Sequence, residues 1–548
     1  MFFCVRLGPR LSNDPRSSLQ PLLAAFVDRA HPDMHVGRVS CGGVADFEGL
    51  RASPQREAVM MNPSAIALAV IFAIVLLGSA IGFYAGTRHK MSLEQWTVGG
   101  RAFGTLLMWL LMAGEIYTAF SFLGVSGWAY SRGGPALYIL AYLTLSNVVA
   151  FFILPPIWDL GREHGLQTLS DFFLMQYRNK HLAAFVSVVG VAFIIPYLQL
   201  QLTGLGIIME VASFGGIGRT HAMVIAVALL AGFVFVSGIR AVAWVSVLKD
   251  LLMVLAVVSI GICVPHIYFG GIAPMFAALA RVKPAHLVMP GATNNLGHAW
   301  YISTVLLTSL GALMWPHLFG ASFTARSADT LRRNAVVMPL YTISLAFIFF
   351  TGFAAVLVVP GLSDGDLSLL TVVRKAFPAW MLGLIGGAGA LTAMAPAAIL
   401  ILTASTLFAK NLYRPIFAPA MTDDHVARLA RIMVVALSLI SLYFAVYSST
   451  TLVSLLLLGY AGVAQFFPGV VLGLFWKRVR MVGVFGGMMV GVACTTFLVL
   501  SKKDPCGGLN AGFIALCANF ATTVLVSMLA PVKAGGLEDF SASASDNP

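Results

Sequence analysis

Charge is scarce in this chain: Asp, Glu, Lys and Arg make up 10% of its 548 residues, against roughly 25% in an ordinary soluble domain. A water-soluble fold needs a charged skin, so this deficit excludes one. Paired cysteines are also lacking. The six present, Cys4, Cys41, Cys263, Cys494, Cys506 and Cys517, show neither CxxC nor CxxxC spacing, which excludes a zinc ribbon, a dithiol redox motif and a disulfide framework. There is no Walker loop, HExxH helix, nucleophile elbow or carboxylate pair in a polar segment. The chain is therefore read as no enzyme, with no cofactor. Without an ATP-binding module, any solute movement is secondary or passive. The net charge of +12 lacks a patch. Its basic residues sit in short clusters between apolar runs, which speaks for a membrane and against nucleic acid.

What the sequence does have is apolar length. It is 59% hydrophobic, with a mean hydropathy of +0.88. A membrane span needs about 20 apolar residues. Thirteen candidate spans follow, at 64–86, 105–130, 136–157, 181–213, 220–238, 241–268, 299–325, 334–360, 378–409, 426–447, 450–475, 480–500 and 509–531. The tenth and eleventh are so close that twelve is the alternative count. Residues 1–60 are polar and aperiodic and read as a disordered extension, with Met60 or Met61 as an alternative start. Residues 532–548 read as a short polar tail. The expectation is an all-α integral membrane protein with one transmembrane domain over 64–531.

Lys and Arg in the loops set the direction of insertion. One alternate set of loops carries eighteen, including Arg101, Arg162, Arg326, Arg332 and Lys410, and the other carries eight. The richer set is expected to face the cytoplasm, which puts the N-terminus outside and the C-terminus inside.

Two spans read as interrupted. Span 2 carries Gly114, Gly124 and Gly127, with Glu115 and Thr118 at mid-membrane. Span 7 carries Gly311, Pro316 and Gly320. They lie five spans apart, and broken helices at matching places in two halves point to a midplane binding site. Ionisable and polar groups inside spans are costly and are functional candidates by default. Glu115 is the foremost, against the plainer reading of a helix-to-helix hydrogen bond. Tyr197, Gln199 and Gln201 follow Pro196 in span 4. Two residues apart, the glutamines cannot both point at one spot of a regular helix. Lys249 and Asp250 stand side by side in span 6 and read as structural. Trp315 and His317 flank Pro316, with His317 assigned the smaller chance of a role in coupling.

Six segments, in order, resemble the sodium:solute symporter family: EQWTVGGRAFG (94–104), YTAFSFLGVSG (117–127), GLQTLSDFFLMQYR (165–178), SGIRAVAWVSVLKD (237–250), TARSADTLRRN (324–334) and FFPGVVLGLFWKRV (466–479). The resemblance covers about Ser64 to Leu500. It implies a LeuT-like fold of two inverted five-helix repeats, here about 105–268 and 299–475. IPYLQLQLTGLGII (195–208), MWPHLFGASFTARSADTLRRN (314–334) and ASTLFAKNLYRP (404–415) are most similar to the bacterial monocarboxylate permease branch, which carries lactate, pyruvate and related acids. The implied activity is symport of a small organic solute, a monocarboxylate first, with sodium across the inner membrane. A carrier-fold sensor and a symporter for an amino acid or another small solute are the alternatives. A sensor would need an output domain, for which the segment after Pro531 is short.

Carried over by position, the resemblance places sodium-binding carbonyls at Gly114 and Tyr117 and a substrate-facing side chain at Ser121, beside Thr118. The hydroxyl pair of the family does not carry over. In LTAMAPAAIL (391–400), Thr392 is the single hydroxyl and Pro396 intrudes. Ser246 stands where many members have Asp, and Lys249 where Gln is usual. With those ligands missing and a carboxyl at mid-membrane, a proton becomes a second candidate for the coupling ion.

Overall fold

The computed structural model describes residues 62–87, 98–236, 239–293 and 295–530. The proposed extension over 1–60 and the tail over 532–548 lie outside the described residues. Among the described residues all regular structure is helical, apart from two isolated bridges, Phe103 with Ala325 and Cys506 with Leu509. In a bilayer only a helix or a closed barrel satisfies every backbone group internally, and this composition takes the first course.

Numbered by span, the helices are α1 (Pro63–Thr87), α2a (Thr105–Gly114), α2b (Val125–Ser131), α3 (Tyr138–Glu163), α4 (Lys180–Ala212), α5 (Arg219–Val236) and α6 (Ile239–Phe269). After them come α7a (His298–Gly311), α7b (Pro316–Ser322), α8 (Ala328–Val358), α9 (Ala379–Thr406), α10 (Asp423–Tyr447), α11 (Leu452–Phe475), α12 (Met481–Leu500) and α13 (Ala511–Leu529). Ten of them are long and apolar enough to cross a membrane, and α7a with α7b makes an eleventh, bent by 53°. The other two predicted spans fall on the broken α2 and on α5, which is 18 residues long.

Successive crossings must alternate faces, and the loop contacts obey that parity. On one face, Phe103 donates its N–H to Thr324 O and accepts from Arg326 N, at 3.0 and 2.9 Å. There too, Lys410 meets Asp171 at 2.8 Å, and Gln176 reaches Gly473 O at 2.7 Å. On the other face, Arg219 meets Asp364 at 3.1 Å, Leu452 N–H donates to Asp366 at 2.9 Å, and His286 pairs with Tyr130 O at 3.1 Å. Each contact joins loops separated by an even number of crossings. A unit of five crossings that starts on one face leaves the next unit to start on the other, so two such units in tandem are inverted.

The centre of the bundle is α9. In its most apolar 18-residue stretch 94% is buried by protein, against 28% for α1 and 33% for α13. Glycine makes that burial close. A Cβ on Gly383 would stand 2.7 Å from Ala67 O, and one on Gly387 would stand 2.7 Å from the Ile74 side chain. Helices in lipid gain by such contact, because small residues let backbones approach.

Candidate functional site

α2 breaks after Gly114, and residues 115–118 run as turns and bends before the chain becomes helical again, with a π-helical stretch at Phe120–Gly124. The break frees backbone groups that cannot stay unpaired in a buried place. Side chains take them up. Ser121 Oγ donates to Ile116 O at 2.7 Å and accepts from Thr118 N at 2.8 Å. Thr118 Oγ1 accepts from Phe120 N at 3.2 Å. From α4, Gln201 Oε1 accepts from Ala119 N at 3.0 Å. Gly204, one turn further along α4, lets that approach occur, since a Cβ there would overlap Ala119. The carbonyls of Gly114 and Tyr117 both accept from the Lys249 ammonium of α6, the second at 3.1 Å.

α7 bends because Pro316 has no N–H to donate and Trp315 turns to an extended ψ of 121°. The bend turns Trp315 and His317 toward the break in α2. His317 Nε2 lies 3.4 Å from Glu115 Oε2, and both side chains are buried. One comes from each broken helix, so the two halves meet through an ionisable pair. Around it rings gather: Tyr197 and Trp315, tilted, at 4.8 Å between centroids, and edge to face Tyr197 and His317 at 5.7 Å and Trp315 and Tyr460 at 5.4 Å. The column continues through Tyr142 and Tyr138 to Trp128 and Trp300.

Beside this pair is a cavity of about 100 Å³. Glu115, Tyr197 and Trp315 line its closed end, with Phe120, Tyr142 and Tyr460. Leu154, Leu331 and Asn334 line the remainder, which belongs to the face that carries Arg162 and Arg326. Toward the other face the aromatic column closes it.

Of the residues singled out in the sequence, Glu115, Tyr197 and Trp315 line the cavity. Gly114, Tyr117, Thr118, Ser121 and Gln201 form the break behind it. Gln199 is buried in α4, and Thr392 is buried in α9 with a hydroxyl that has no hydrogen-bond partner. Gln201 Nε2 and Trp315 Nε1 are likewise buried donors without an acceptor, and of the two Trp315 lines the cavity. Sequence reasoning missed Tyr142 and Tyr460, because a tyrosine in an apolar span has no local mark, and it did not foresee the meeting of His317 with Glu115.

Comparison with known proteins agrees with this geometry. Residues 96–491 match the model of the sodium:solute symporter family. A Bacillus subtilis (strain 168) protein, Uncharacterized symporter YhjB, is 44% identical over 476 residues, 84% of this chain and 97% of the relative. The Monocarboxylate transport permease protein of Rhizobium johnstonii is 28% identical, over 85% of this chain and 98% of its own. Among solved structures, that of a Na+-coupled sialic acid symporter in a substrate-bound outward-open state superposes with a TM-score of 0.72 at 18% identity, covering 86% of this chain and 99% of that one. Mhp1, a nucleobase-cation-symport-1 family transporter, superposes with a TM-score of 0.54 at 12% identity, covering 79% and 93%. The fold is thus that of the LeuT-like carriers. With a family match across most of its spans and a site between two broken helices, this multi-pass membrane chain belongs to the sodium:solute symporter family.

Proposed function

We propose that the chain carries a small monocarboxylate, of the size of lactate or pyruvate, into the cell together with a cation, sodium or a proton. The observation that carries the reading is the cavity between the two breaks. At about 100 Å³ it suits a solute of a few heavy atoms. Its ring-lined wall suits a short carbon chain, and the unpartnered Trp315 N–H supplies a donor for a carboxylate. Glu115 faces His317 across 3.4 Å, a pair that can share a proton beside the cavity. The resemblance over 28% identity to a monocarboxylate permease supports the same class. The richer basic face, toward which the cavity extends, is read as the cytoplasmic one by the loop-charge rule, with the N-terminus outside and the C-terminus inside.

The test is uptake of labelled pyruvate or lactate into proteoliposomes, with a sodium gradient and a pH gradient imposed separately. Saturable uptake that unlabelled short monocarboxylates inhibit and alanine does not is the expected result. Transport of alanine undisturbed by excess pyruvate would refute the substrate class. Dependence on one gradient alone identifies the ion.

A further inference from the structure

The two carbonyls expected to bind sodium already hold a cation. Lys249 is fully buried in α6, and its Nζ donates to Gly114 O and to Tyr117 O, which lies 3.1 Å away. Asp250 Oδ1 stands 3.4 Å from the same nitrogen, itself almost wholly buried. The Ser246 hydroxyl, one turn back on α6, is buried without a partner and borders the same spot, 2.8 Å from where a Cβ on Gly114 would be. The ammonium is thus ringed by oxygen: two backbone carbonyls at a helix break, a carboxylate and a hydroxyl nearby.

We propose that the Lys249 ammonium is a tethered cation, which takes the place of sodium at the Gly114 and Tyr117 carbonyls and is part of this chain's own structure. The inference deepens the reading of the chain as a cation-coupled carrier and rests on it. Three physical points lead there. A second monovalent cation at these carbonyls would stand a few ångströms from the ammonium, in an interior where like charges are weakly screened. An ammonium makes directed N–H bonds to carbonyl oxygens in the geometry a hard cation would otherwise fill. The break in α2 leaves those oxygens without helical partners, so a donor or a cation must meet them, and the one present is the ammonium. A tethered one is always present, whereas a free ion comes and goes. Any sodium that this carrier moves then binds somewhere other than this pair.

Removing the side chain would leave an oxygen-lined hollow with the Asp250 carboxylate uncompensated, which is a cation site. The experiment is thermal unfolding of the purified full chain in choline, sodium and methylammonium chloride at equal ionic strength. Wild type is expected to melt at the same temperature in choline and methylammonium, any shift in sodium then reporting a site elsewhere. Lys249→Ala is expected to melt lower in choline and to recover in a saturable way with sodium or methylammonium, by about 3 °C or more. Lys249→Gln, which keeps N–H donors and lacks the charge, should behave like Lys249→Ala.

The proposal is overturned if Lys249→Ala responds to the three salts as wild type does. It is also overturned if Lys249→Gln equals wild type in choline, or if neither variant folds when prepared in sodium. The readout uses no organic substrate. A wrong substrate class therefore leaves this result standing, and a failure here leaves the uptake assay to be judged by itself.

Discussion

Glu115 and His317 come from the two broken helices and meet 3.4 Å apart inside the protein. Burial of ionisable groups is tolerated in a membrane where they pair or work. In Glu115→Gln the histidine loses its carboxylate partner while the volume stays the same. That variant should insert and remain folded, and should lose accumulation against a gradient. Gradient-driven uptake beside solute exchange in the same proteoliposomes checks this, and normal accumulation would return Glu115 to a structural role. Asp366 is a different case, outside the spans. Its carboxyl is raised to about 7, first by burial and then by Asp364, against the Leu452 N–H and Arg219, which lower it. A folded-state value above the ordinary 3.8 means that the fold binds this proton more tightly than the unfolded chain does. Its stabilising share is complete below about pH 4 and is lost as pH rises to about 7, a change on the order of a few kcal/mol. Melting temperature measured from pH 5 to pH 8 should fall in wild type, and Asp366→Asn should flatten that fall.

At the scale of the element, the breaks were legible in sequence for plain reasons. Pro316 cannot continue a hydrogen-bond ladder, and Gly114 and its neighbours weaken one. The partners that heal the breaks were not legible. Lys249 and Gly114 are 135 residues apart, and no local pattern marks their meeting. Lys249 was therefore read, like Asp250, as structural, and its ammonium reaches across to α2. The same limit hid the partner of Gln201, whose oxygen caps Ala119 N–H from another helix. The tight seam between α1 and α9 supplies a prediction of its own kind. A methyl at Gly383 has no space against Ala67 O, whereas Gly486 on α12 has nothing within 4 Å of where its Cβ would be. Gly383→Ala should cost about 1–3 kcal/mol, and Gly486→Ala should be neutral or slightly favourable. Thermal unfolding of the two variants side by side in detergent tests the pair, and equal effects would refute the seam.

For the whole molecule, composition sufficed for the solvent, and apolar length sufficed for the helices. The loop charges separated two faces whose contacts are those the structure shows. The cavity was not legible, because its wall is assembled from six spans far apart in sequence. The cavity extends from the midplane toward the face of Arg162 and Arg326, and aromatic rings fill the other side. That column has an optical consequence. Trp315 stands at the cavity, and Trp128 and Trp300 stand near the closed end, each within 6 Å of a tyrosine ring. Opening the closed end would pull these rings apart and let water reach the indoles. The colour and intensity of the protein's own ultraviolet emission would then follow the alternation of access, with no dye attached.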